Sequence, residues 1–237
     1  MLRSVKELAG YAIRATDGDF GKGNHFLFDD TTWTVRYLVV ITGYSLSGRL
    51  ALVSPAAIGK ADNQERVLPV SLTKEQIRSS PDIDTDMPVF RQQELALARY
   101  YGWPSYWGGD ALVPQAADEV VEGAVHTEHD PHLRSAQEVM SYHVQARDGE
   151  LGHVEDFLVD DETWSIRYLV LNTRNWWRGK KVLVAPARVQ RINWAHRKVY
   201  LDLSREEIRS RPELDCTEHL AGASAQSTAS IAVRSTP

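Results

Sequence analysis

One cysteine, Cys216, is all the sequence holds, so no intrachain disulfide can form and nothing argues for an oxidising compartment. Long apolar runs are missing too. The longest, such as Tyr37 to Ile41, have the length of a strand and fall far short of the roughly 20 residues a membrane span needs. Met1 leads directly into a stretch that recurs later in the chain, which leaves no room for a signal peptide. These absences give the expectation of a cytoplasmic protein. Motifs of enzyme chemistry are lacking as well. There is no phosphate-binding glycine loop and no Gly-x-Ser-x-Gly elbow, and Cys216 has no evident base. The expectation is therefore no catalysis and no cofactor. An excess of basic charge is also absent. The net charge of −5 argues against a general nucleic-acid binder.

What the sequence does hold is a repeat. Shifting it by 131 residues aligns Leu2–Thr42 with Leu133–Thr173 without a gap, with 20 identities in 41 pairs. The same offset pairs Pro55 with Pro186, Leu72 with Leu203, Ile77 with Ile208 and Pro81 with Pro212. Two copies this long make two domains, 1–86 and 133–216. Between them lies an acidic, aromatic connector, 87–132, and after them an Ala/Ser/Thr-rich tail, 217–237, expected to be disordered. The connector carries 2 basic and 7 acidic side chains, which accounts for the whole net charge.

Each copy reads as mainly β. Asp17-Gly18 and Asp148-Gly149 suit tight turns, with Gly18 and Gly149 free to adopt positive φ. Gly21 and Gly152 mark a bulge or a close strand approach. Strands are expected over Tyr11–Ala15, Asn24–Phe28, Val35–Thr42 and Arg49–Val53. In copy two they are expected over Ile166–Thr173, Lys181–Val184, Val189–Asn193 and Lys198–Leu203. Pro55 and Pro186 read as bends at a strand edge. Thr73–Gln76 and Ser204–Glu207 have the capping-box pattern, opening helices that Pro81 and Pro212 stop. Arg91–Tyr101 reads as a connector helix ended by Gly102 and Pro104. Short strands, tight turns and a terminal helix suggest two small closed or partly closed barrels in tandem.

This pattern of Asp-Gly, Gly, a β-run into Asp-Asp, Trp, then Arg-Tyr-Leu-Val resembles the PRC-barrel domain. Asp17, Gly18, Gly21, Asp29, Trp33, Arg36 and Tyr37 carry the resemblance in copy one. Asp148, Gly149, Gly152, Asp160, Trp164, Arg167 and Tyr168 carry it in copy two. That domain is named from the cytoplasmic part of the photosynthetic reaction-centre H subunit and recurs at the C-terminus of RimM-type ribosome maturation factors. The resemblance implies a barrel that docks on larger assemblies without catalysis. The transmembrane helix of the one relative and the RNA-associated domain of the other are both missing, so neither function transfers by default.

Candidate sites are few. Asp29/Asp30 and Asp160/Asp161 occupy polar turns, and pairs such as Asp29–Arg36 or Asp160–Arg167 suit a structural bridge. His126, Glu128, His129 and His132 form the one metal-like cluster, in a connector that offers no fixed scaffold. The strongest functional signal is a difference between the copies. Where copy one has Gly43–Arg49, copy two has Arg174-Asn-Trp176-Trp177-Arg178-Gly-Lys180-Lys181. Two Trp and several cations in a hairpin loop suit an anionic, partly apolar partner. Trp176, Trp177, Arg178, Lys180 and Lys181 are thus one candidate contact, and Trp103, Tyr106 and Trp107 a second. A protein assembly ranks first as partner, with an anionic membrane surface also suited to the loop. RNA or pre-ribosome binding is the alternative.

Overall fold

The computed structural model describes residues 1–42, 49–81, 91–103, 133–173 and 180–212. In copy one the order is β1 (Leu2–Ser4), α1 (Val5–Ala9), β2 (Ala12–Ala15), β3 (Gly18–Asp29), β4 (Thr34–Thr42), β5 (Arg49–Val53), β6 (Val67–Pro69) and α2 (Lys74–Arg78). Helix α3 (Arg91–Tyr101) follows. Copy two contributes β7 (Leu133–Ser135), α4 (Ala136–Val139), β8 (His143–Ala146), β9 (Gly149–Asp160), β10 (Ile166–Asn172), β11 (Lys181–Val184), β12 (Val189–Asn193), β13 (Lys198–Leu201) and α5 (Arg205–Arg209). The molecule is mainly β, as expected.

The strands form two sheets, in the orders β5-β4-β3-β2-β6 and β11-β10-β9-β8-β13-β12. Among the described residues, only the β2–β6 and β8–β13 pairings run parallel. Neither ladder closes into a ring, so the expected barrels are open sheets. The segment expected as a strand over Asn24–Phe28 is the second half of a 12-residue strand, β3. Its length lets it serve two partners on one edge. Gly18–Lys22 pairs with β2, and Leu27–Asp29 pairs with β7, the first strand of the other copy. The reciprocal holds in the second sheet, where β9 pairs with β8 and then, over Leu158–Asp160, with β1. Residues 2–4 and 133–135 thus exchange sheets, in registers related by the 131-residue offset.

Short strands can exchange this way because each is ended at once by a helix cap. The Ser4 hydroxyl accepts the Glu7 amide at 3.0 Å and the Ser135 hydroxyl accepts the Glu138 amide at 3.3 Å. The resulting one-turn helices α1 and α4 were not expected from the sequence; segments of five and four residues carry too little periodicity to reveal them. Pro55 and Pro186 start 3-10 turns rather than bending a strand, since proline suits the first turn of a helix. Both capping boxes form, with Thr73 and Ser204 bonded reciprocally to Gln76 and Glu207. Gly18 and Gly149 have φ of +118° and +146°, and a Cβ at Gly152 would overlap the Asn172 carbonyl. Among the described residues, no helix is long and apolar enough to cross a membrane.

One continuous core spans both copies, from Val5 to Ile208. Across the seam Phe28 meets Phe157 at 5.4 Å between ring centroids, and Phe26 meets Trp164 at 5.7 Å. Phe28 is fully buried. Phe28→Ala should therefore cost about 3–5 kcal/mol, and because the core is shared both copies should melt together. Calorimetry checks this: a single transition at lowered temperature is expected, while two separated transitions would contradict a shared core.

Candidate functional site

Some of the residues that carry the repeat, Trp33, Trp164 and the Asp-Asp turns, meet at the seam. Trp33 and Trp164 sit at φ 53° and 56°, a left-handed conformation unfavourable for large side chains. Each is held there from the other copy. The Val35 amide donates to the Trp164 carbonyl at 2.8 Å, and the Ile166 amide donates to the Trp33 carbonyl at 2.7 Å. The preceding turns are tied by their aspartates. Asp29 accepts the amides of Thr31 and Thr32, and Asp160 accepts those of Glu162 and Thr163. Burial alone would raise the Asp29 carboxyl. The Thr32 and Thr31 amides, the Thr32 hydroxyl and the nearby Arg36 outweigh it and hold the group below its ordinary value. Asp160 is lowered in the same way: burial pushes it up, and the Thr163 and Glu162 amides more than reverse that.

The second aspartate of each pair crosses between copies. Arg134 donates to Asp30 at 2.8 Å, and Arg3 donates to Asp161 at 3.1 Å. Arg3 is buried and also bonds Asn63, while Arg134 stacks over the Trp194 ring at 4.1 Å. Both arginines therefore act as rivets between exchanged strand, turn and loop. Arg36 lies 3.4 Å from Asp29. The equivalent pair does not form in copy two, where Arg167 is exposed and makes no ion pair among the described residues.

Several sequence candidates lie outside the described residues: Trp176, Trp177, Arg178, Tyr106, Trp107 and the cluster His126, Glu128, His129 and His132. The described part of the basic loop is engaged internally. Lys180 donates to the carbonyls of Arg209, the last residue of α5, and Arg211 just after it, and Lys181 pairs with Glu155 at 2.6 Å. Trp103 is half-buried and stacked on Tyr101, with centroids 4.1 Å apart. It borders a cleft of about 630 Å³ between the Val35–Tyr37 stretch, the Pro55 turn and the Asp161–Trp164 turn.

A second cavity, about 500 Å³, lies between α1 and α4. Here the copies differ in chemistry. His25, with a buried Nδ1 that has no hydrogen-bond partner, occupies the position that Asp156 takes in copy two. Burial lowers the His25 imidazole, favouring its neutral form. Burial raises the Asp156 carboxyl, against the Ser4 hydroxyl and the amides of Lys6 and Phe157. Among the described residues, no group of three or more His, Cys, Asp or Glu is placed to hold a metal ion.

The outer face of the first sheet was not singled out by sequence. Leu27, Tyr37, Val39, Leu52 and Leu133 form a separate apolar cluster there, covered by α3 through the fully buried Leu97. The Tyr100 and Tyr101 hydroxyls donate to the Gln76 carbonyl and fix the helix against the end of α2. A signal for this face existed. Alternate positions of β4 are apolar on both sides of the strand, which means both faces are covered.

Residues 136–208 match the family model of the PRC-barrel domain. Among curated proteins none matches the chain.

The lowered carboxyls give a pH prediction. A carboxyl depressed in the folded state stabilises it fully above its ordinary value of 3.8 and loses that contribution as the pH falls through the folded value. Asp29→Asn/Asp160→Asn should lose about 1 kcal/mol per turn at pH 7, the usual net worth of a hydrogen bond. Urea midpoints at pH 7 and pH 3 should therefore differ less in the variant than in the native chain. An equal difference would show that the turns do not carry the acid sensitivity.

Proposed function

We propose that this chain is a non-catalytic interaction module of the cytoplasm, two PRC-type copies joined into one body that docks on a protein assembly. The match of residues 136–208 to the PRC-barrel domain supports an interaction role in general. The observation that carries the reading is how the polar groups are used. Asp29, Asp30, Asp160 and Asp161, the carboxylates that could have formed a reaction centre, hold turns or bridge the two copies. Each is committed to the fold, and acid–base chemistry would require releasing it. What the body offers a partner is sheet faces and the cleft beside Trp103. The docking site on the assembly would be protein, in a membrane-proximal or reaction-centre-like setting if the family resemblance extends to it.

Affinity capture with the full chain from native lysate, membranes retained and nuclease added or omitted, tests this reading. Protein partners that survive nuclease are the expected result. Ribosomal proteins that disappear with nuclease, together with a steep fall of affinity with salt, would replace it with an RNA-associated role. Turnover of a small molecule that depends on Asp29 or Asp160 would overturn the non-catalytic reading.

A further inference from the structure

The 131-residue offset maps the face under α3 onto copy two without a change of residue. Leu27, Tyr37, Val39, Leu52 and Leu133 correspond to Leu158, Tyr168, Val170, Leu183 and Leu2. The strand registers agree as well: Leu27 opposes Tyr37 and Val39 opposes Leu52, while Leu158 opposes Tyr168 and Val170 opposes Leu183. The two faces differ in cover. Tyr37, Leu52 and Leu133 are buried beneath α3, whereas Tyr168, Leu183 and Leu2 are only half-buried. Three apolar side chains thus remain partly wet on a face whose twin is sealed by a helix.

We propose that this second face, Leu2/Leu158/Tyr168/Val170/Leu183, is a docking site for an amphipathic helix of a partner protein, laid down as α3 lies on copy one. The covering helix states the chemistry required. Glu94, Leu97 and Tyr101 stand three and then four residues apart on one helical face; Glu94 and Leu97 are fully buried, and Tyr101 packs against the cluster. A partner helix should therefore carry an acidic residue, a leucine three positions on and an aromatic four beyond. The rim of the copy-two face favours the acidic residue. Arg167 is exposed there, next to Tyr168 in the strand, and makes no ion pair among the described residues, while Lys181, which stands where Leu50 packs in copy one, is already paired with Glu155. Two occupants from the chain itself do not supply this chemistry. Applying the offset to α3 places Gln226, Thr228 and Ala232 of the tail where α3 has Leu95, Leu97 and Tyr101, and a second copy's α3 is held on its own sheet.

This assignment rests on the interaction-module reading but can fail without it. The probe is a synthetic peptide of residues 91–103 with a photoreactive benzophenone amino acid in place of Tyr101, titrated against the full chain and cross-linked. Saturable one-to-one binding is expected, with cross-links on Leu2, Leu158, Tyr168, Val170 or Leu183. Leu183→Lys should weaken binding at least tenfold while Leu52→Lys should not. If Leu183→Lys lowers the melting temperature enough to unfold the chain, Tyr168→Gln, at a half-exposed position, replaces it. Cross-links confined to Leu27, Tyr37 or Leu52 would show only exchange with α3 and overturn the proposal. Absence of peptide binding would do the same, as would a full-chain dimer in sedimentation that Leu183→Lys converts to monomer. Nuclease-resistant protein capture alongside any of these would leave the module intact and place its contact elsewhere.

Discussion

Reciprocal exchange of two three-residue strands is the constraint on which the rest depends. A strand of three residues has too few hydrogen bonds and too little apolar surface to persist alone. Leu2–Ser4 and Leu133–Ser135 persist because each completes the long strand of the other copy, β9 and β3. The exchange brings Arg3 to Asp161 and Arg134 to Asp30, and aligns the two Trp carbonyls with amides across the seam. Once these are in place, the apolar interiors of both sheets face a common centre. Two copies that sequence separates by a long connector share in this way one core.

Duplication followed by divergence explains where the chemistry differs. The ion-pair and tryptophan positions of the seam are the same in both copies: Arg3 and Arg134, Asp30 and Asp161, Trp33 and Trp164. Positions beside it have drifted. His25, which lines the cavity between the one-turn helices, stands where copy two has Asp156, and Leu50 corresponds to Lys181 at the rim of an outer face. A helix seals one outer face only. An interlocked pair with unequal exteriors can be held by one side and present the other, which is consistent with the docking role proposed above.

Much of the fold was legible before any coordinates. Arg49–Val53, Lys181–Val184 and Val189–Asn193 are strands at the bounds expected from the sequence, and both capping boxes form at the residues that spell them. What could not be read was pairing. The offset identity of Leu2-Arg3-Ser4 and Leu133-Arg134-Ser135 was visible, yet nothing in a three-residue strand specifies which sheet it joins, because register depends on contacts distant in the chain. For the same reason Asp30 and Asp161 read as turn residues, although they bridge the copies. The Trp176–Lys181 loop stood out by composition, but Lys180 and Lys181 are bonded within the chain, and the apolar strand faces that match between copies carry no polar signature at all.

The most direct test of the interlocked body is native-state hydrogen exchange. The amides of Val35 and Ile166, and those that pair β1 and β7 into the opposite sheets, should exchange only through global unfolding, with protection equal to that of the central strands β4 and β10. If those amides exchange orders of magnitude faster than the strand centres, the copies separate without unfolding, and the exchanged strands do not hold them together.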